Sequence, residues 1–144
     1  MAVAHILKQK GSTVITVGPG ETVKSIVDLL AQHRIGAVLV TDGKGGIAGI
    51  VSERDIVRAM AHLGAAVLER RASDVMTAKV RTCGPNDTEA ELMSLMTEHR
   101  IRHLPVVANG KLAGMISIGD LNAWEVQVQE ATITVLTEYI HGRV

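Results

Sequence analysis

The sequence predicts an α/β (α+β) protein made of two β-α-β-β-α repeats and a C-terminal helical extension. Three observations carry this expectation. First, the chain repeats itself: GPGETV, HRIGAVLV and GIVSERDIV in one half match GPNDTE, HRIRHLPVV and GMISIGDLN in the other. Gly18 and Gly84 stand 66 positions apart, as do His33 and His99, whereas Ser52 and Ser117, and Asp55 and Asp120, stand 65 apart. One residue is therefore missing from the second copy, within the polar stretches 41–46 and 108–111, where loops tolerate length changes. Second, short apolar runs alternate with segments of helical periodicity. Third, turn-forming residues separate the runs at matching places in both copies.

Each element follows from its residues. Val14–Val17 is a short β-branched run, broken by Pro19-Gly20. Thr22 caps a helix whose apolar residues Val23, Ile26, Val27 and Leu30 share one face. Ala37–Val40 reads as a buried strand, and the glycine-rich turn 42–46 joins it to Ile47–Val51 as a hairpin. Ser52 opens a second helix bearing Ile56, Val57, Met60 and Leu63. The second copy replays this order. Lys79–Thr82 is the expected short strand, Gly84–Asp87 the turn, and Thr88-Glu89-Ala90-Glu91 a capping box before Leu92, Leu95 and Met96. Leu104–Val107 and Leu112–Ile116 pair around Asn109-Gly110, and Ser117 starts the last helix.

Residues 69–74 form a polar connection, with Asp74-Val75-Met76 opening the second half. Leu121, Trp124, Val128, Ala131 and Val135 make a narrow helical stripe, so Leu121–Ile140 reads as one long helix or two that help dimerise the protein. The β-branched run 132–135 weakens that helix. The expected segments are 1–68 for the first repeat with the N-terminal residues, 69–123 for the second with its linker, and 124–144 for the extension.

Composition narrows the function. A hydrophobic share of 47% over 144 residues supports one ordinary domain or two small joined repeats. No run reaches the ~18 apolar residues of a membrane span, and MAVAHILKQKGS does not read as a secretory signal. With 15 basic and 15 acidic residues, bulk charge suggests no nucleic-acid or anionic-membrane surface. Trp124 and Tyr139 are the only aromatics, so no base-stacking platform is expected. Cys83 is alone, which excludes an intrachain disulfide and a thiolate metal cluster. A soluble cytoplasmic protein is expected.

The sharpest chemical hint is the recurring G-x-x-S-x-x-D, Gly49/Ser52/Asp55 and Gly114/Ser117/Asp120. Each Ser closes an apolar strand, and the Asp lies in the first turn of the next helix. Such a turn offers N–H donors and partial positive charge to phosphate, while a carboxylate can accept from the adjacent hydroxyls of a ribose. Arg54 lies between the two in the first copy and suits a forked phosphate contact. The same Ser-x-x-Asp is also a plain helix cap stabilising by ~1 kcal/mol, and recurrence in register favours the ligand reading. His99 and His103 have the spacing of a metal pair on a helix, but no third ligand stands near. Cys83 with His99 could form a nucleophile pair, yet Cys83 sits where the first copy has Val17, a buried position. No catalytic machinery emerges, and neither a catalytic nor a metal site is expected.

On HRIRHLPVV (99–107), GIVSERDIV (49–57) and GMISIGDL (114–121), the duplicated pattern resembles the CBS-domain family over residues 14–123. The resemblance implies two β-α-β-β-α units packed as a pseudo-two-fold pair, commonly dimeric, with clefts for adenosine-containing ligands such as AMP, ATP, NAD(H) or S-adenosylmethionine. It would place Asp55 and Asp120 on ribose, Ser52 and Ser117 near ribose and phosphate, and Arg54 on phosphate. Gly119 stands where the first copy has Arg54, so Arg102 and His103 would substitute. Adenine would lie against Ile35, Gly36 and Ala37, or Arg102 to Pro105 with Leu104 between, and Thr16, Lys79, Val80 and Thr82 would close the pockets. Two functions follow: a non-catalytic, homodimeric sensor of adenine nucleotides that regulates an unknown protein, or a ligand-free interaction module acting through dimerisation and the C-terminal helix. An enzyme turning over a bound nucleotide is the third reading.

Overall fold

The computed structural model describes residues 2–142; Met1, Arg143 and Val144, which end the first and last expected segments, lie outside the described residues. By contacts the chain divides into two compact units. One comprises Thr13–Thr82 with Ala108–Leu112; the other comprises the N-terminal residues through Ser12, Cys83–Val107, and Ala113 through the C-terminal helix.

In the first unit, β1 (Thr16–Val17), β2 (Ala37–Thr41) and β3 (Ile47–Ser52) form a sheet in the order β1-β2-β3. β1 runs parallel to β2 with Thr16 opposite Leu39 and Val17 opposite Val40. β2 and β3 form the expected antiparallel hairpin, with Ala37 opposite Ser52. Val38, Leu39 and Val40 are all fully buried, so both faces of this central strand are covered and its sequence does not alternate. α2 (Val23–His33) begins where Thr22 accepts from the Ser25 N–H (3.2 Å) and buries Val23, Ile26 and Leu30. α3 (Glu53–Leu63) buries only Ile56; Val57 is 65% exposed, so the apolar face expected there lies largely in solvent within this unit.

The polar connection also departs from expectation, because it folds. A 3-10 turn, Gly64–Glu69, leads into the one-turn α4 (Ala72–Val75), and Ala72 is fully buried in the core of the first unit. Ile50 and Thr77 exchange backbone hydrogen bonds at 3.0 and 2.9 Å. Asp74-Val75-Met76 therefore completes the first unit rather than opening the second.

The second unit carries α5 (Glu89–His99), capped as expected by the Thr88/Glu91 box. The strands β4 (His103–Ala108) and β5 (Lys111–Ser117) are paired, and Asn109 and Gly110 both have positive φ (53° and 75°), as the favoured two-residue hairpin turn requires. The strand expected at Lys79–Thr82 is absent: pairing shrinks to a single parallel bridge, Cys83 to Val106. Proline explains the loss. In the first copy the Leu39 N–H donates to the Ile15 carbonyl (3.2 Å), and the equivalent residue in the second copy, Pro105, has no N–H to give.

Residues 2–12, grouped by the sequence with the first repeat, instead pack on the second. α1 (Ala2–Lys10) buries Val3 and Ile6 in the core formed by Leu92, Met96, Leu104, Val106, Ile116 and Leu121. The His5 ring stacks on Trp124, with centroids 6.0 Å apart. α6 (Ile118–Ile140) is one continuous helix, and it begins before the expected boundary at 124. It runs through its β-branched stretch because Thr132, Thr134 and Thr137 hydroxyls donate to the carbonyls four residues back at 2.8–3.0 Å. Only Leu121 is buried; Val126, Val128, Ile133, Val135, Leu136, Tyr139 and Ile140 are exposed. No described helix is long and apolar enough to cross a membrane.

Candidate functional site

Both Ser-x-x-Asp turns form, and they form alike. Ser52 has extended backbone, and its N–H donates to Asp55 Oδ2 at 2.8 Å. Its hydroxyl donates to the same oxygen at 3.0 Å and accepts from the Asp55 N–H at 3.4 Å. In the second copy the Ser117 N–H donates to Asp120 Oδ2 at 2.8 Å, and the Asp120 N–H reaches Ser117 Oγ at 3.1 Å. Both are complete capping boxes. The cap reading of these residues is thus realised, and any ligand must use what the caps leave over.

Carbonyls of the residues just before β2 and β4 narrow that remainder. The Glu53 N–H donates to the Gly36 carbonyl (3.0 Å) and the Ile118 N–H to the Arg102 carbonyl (2.9 Å). These bonds bring Gly36 and Arg102 against the helix starts, and sheet register brings Ala37 beside Ser52. They also engage the first N–H of each helix, while the third is held by the serine. The helix dipole remains, but a phosphate here depends on side-chain cations more than on open backbone donors.

The two turns differ in what reaches the carboxylate. Thr77 Oγ1 donates to Asp55 Oδ1 at 3.2 Å. At the second turn Lys10 Nζ lies 2.7 Å from Asp120 Oδ2 and 2.8 Å from the Met115 carbonyl. Burial pushes the Asp120 carboxyl up, but the Lys10 and Ser117 hydrogen bonds and the Lys10 charge outweigh it and hold the group below its ordinary 3.8. Sequence reasoning missed both partners. The spacing of Val3, Ile6 and Leu7 with Gly11 beyond Lys10 is an amphipathic helix signal that could have found Lys10.

The remaining expected site residues scatter in character. Arg54, Arg102, Thr16, Lys79 and Thr82 are exposed, Ile35, Val80 and His103 partly buried, and Leu104 and Pro105 buried. Among the described hydrogen bonds, none joins Lys79, Val80 or Thr82 to the first turn. His99 ends α5 and His103 starts β4, with Arg100 left-handed between them, so they do not share a helix face. The described residues hold no group of three metal ligands. Burial and the nearby Asp87 push the Cys83 thiol up to about 12, which makes it inert rather than nucleophilic. An open groove of about 800 Å³ between α5 and α6 presents Glu89, Glu98 and Glu125, a charge that repels phosphate.

The fold and the paired turns define a class: a tandem α/β repeat with a Ser-x-x-Asp helix start in each copy. The CBS-domain profile matches residues 10–62 and 72–125, and the chain belongs to the CBS-domain family as a tandem pair. It is 31% identical to the mitochondrial CBS domain-containing protein CBSX3 of Arabidopsis thaliana over 97% of this chain and 72% of that one. The solved CBS-domain protein ATU1752 of Agrobacterium tumefaciens is 46% identical, with a TM-score of 0.83 over 85% of this chain and 92% of that one. The CBS pair of MJ0100, at 22% identity and a TM-score of 0.73 over 84% of this chain and 92% of that one, shares the fold; its structure is a complex with 5′-methylthioadenosine and S-adenosylmethionine.

Proposed function

We propose that the protein is a non-catalytic regulatory module that binds adenine nucleotides (AMP, ATP or NAD(H)) at its two Ser-x-x-Asp turns. The observation that carries this reading is the recurrence, in register, of a partly buried carboxylate held at a helix start beside a strand end. Asp55 and Asp120 accept hydrogen bonds from the ribose hydroxyls, Arg54 meets phosphate at the first turn, and Arg102 and His103 take the phosphate contact at the second. Gly36 and Ala37, and Leu104 and Pro105, give the adenine apolar and backbone surface. A ligand regulates by binding one conformation more tightly than another, which changes a surface read by a partner protein. The protein acts in the cytoplasm as a homodimer, joined through the exposed apolar side chains of α6. Those same side chains favour the second reading, a ligand-free interaction module.

A ligand that binds only the folded state raises the melting temperature. Melting the protein with AMP, ATP, NAD(H) and S-adenosylmethionine in turn separates the readings. The sensor reading expects a rise with at least one nucleotide; silence across the panel at millimolar ligand leaves the interaction module. Nucleotide turnover in the same samples would establish an enzyme instead.

A further inference from the structure

Lys10 does at the second turn what Thr77 does at the first. Thr77 donates its N–H to the Ile50 carbonyl (2.9 Å) and its hydroxyl to Asp55. Ile50 and Met115 are equivalent in the two copies, as are Asp55 and Asp120. A single ammonium, Lys10 Nζ, reaches both the Met115 carbonyl and the Asp120 carboxylate. A neutral donor in one copy is thus replaced by a full positive charge in the other. The charge is held in place: Val3 and Ile6 anchor α1 in the core, Leu7 packs on Gly114, and the Ala4 N–H donates to the Pro85 carbonyl (3.2 Å). It also remains accessible, since the Lys10 side chain is 36% exposed.

We propose that Lys10 sets ligand selectivity at the second turn, admitting nucleoside 5′-phosphates and rejecting neutral or cationic adenosine derivatives. This rests on the nucleotide reading of Asp120. Lys10 shares Asp120 Oδ2 with the Ser117 N–H, so a pair of ribose hydroxyls that takes both carboxylate oxygens must displace it, which leaves its ammonium without a counter-charge. A phosphate on the same ligand supplies that counter-charge, and an ammonium has three donors with which to hold it. Adenosine supplies none, and a sulfonium adds repulsion. At the first turn Thr77 loses only a neutral hydrogen bond, so the same displacement carries no charge preference.

Calorimetric titration of the full chain with AMP and with adenosine tests this, in an Asp55→Ala background so that the second turn is read alone. The D55A protein is expected to prefer AMP by about tenfold or more, the scale of a charge-assisted hydrogen bond. Adding Lys10→Met removes that preference, by weakening AMP while leaving adenosine unchanged or tighter. Lys10→Arg restores it, and unaltered circular dichroism confirms that each variant folds; Lys10→Gln replaces Lys10→Met if that variant does not. Tighter AMP binding or an undiminished preference in Lys10→Met overturns the inference and makes Lys10 a structural clasp. AMP binding by the unmodified chain but not by the D55A protein overturns it too, since the second turn is then no site. No binding of either ligand by any form removes the nucleotide reading with it.

Discussion

The two copies of the repeat agree in backbone and disagree in what they place against the backbone. Each ends its last strand at a capping serine, puts a carboxylate three residues on, and receives a donor from a segment packed against it. In the first copy that segment is Ala72–Thr77, which follows it in sequence; in the second it is α1, from the other end of the chain. The lesson concerns charge. A duplicated fold conserves hydrogen-bond positions, such as the carbonyls of Ile50 and Met115, while the donors that fill them range from a threonine to a lysine.

The comparison breaks most readily in the cores. Ile6→Ala removes an anchor of α1 and is expected to cost about 2–5 kcal/mol, read by urea denaturation. If its cost is near zero, α1 does not belong to the second core. The glycines at the two docking positions come next. A Cβ on Gly49 would stand 2.5 Å from Met76 Sδ and 2.9 Å from the Thr77 carbonyl oxygen, whereas the atoms nearest to one on Gly114 belong to the Leu7 side chain, the first a methyl also at 2.5 Å. Backbone cannot step aside as a leucine methyl can. Gly49→Ala should cost roughly 1–3 kcal/mol and Gly114→Ala clearly less in the same denaturation experiment. Equal costs would mean that the two docked segments are equally rigid.

The charge difference gives a smaller effect with a distinct pH signature. The Lys10–Asp120 pair is partly exposed, at 36% and 23%, so Lys10→Met should lower stability by no more than about 1 kcal/mol at neutral pH. Because the folded Asp120 carboxyl titrates below its unfolded value, that contribution is present above about pH 4 and is lost as pH falls through the folded-state value. The two proteins should converge in acid; a difference that persists at pH 2 would assign the effect to packing. The smallest change is Cys83→Val, which installs the residue of the equivalent position, Val17. It should alter stability by less than about 1 kcal/mol, and unmodified Cys83 should resist alkylation at pH 8 until the protein unfolds.

Much of this was legible in the sequence, for identifiable reasons. Helix starts announce themselves locally, so Thr22, Ser52, Thr88 and Ser117 all cap as their spacing implies. The hairpins follow from turn chemistry, Asn109-Gly110 above all. The short strands were harder, because a two-residue ladder depends on its partner: Pro105, 23 positions from Thr82, decides whether a strand forms there. Partners across the chain were not legible. Lys10 and Asp120 are 110 residues apart, and no local rule connects them. The duplication also misled in one respect. It suggested that each repeat packs on its own flanking residues, whereas α1 packs on the copy farther away in sequence.

Nitrogen-labelled protein titrated with AMP, and followed through its backbone amide resonances, tests the account most directly. Nucleotide binding at the paired turns predicts that the largest shifts fall on Ser52–Asp55, on Ser117–Asp120, or on both, with Lys10 moving alongside Asp120. Shifts confined to the α5–α6 groove around Met93 and Ser94, or no shifts at millimolar AMP, would contradict it.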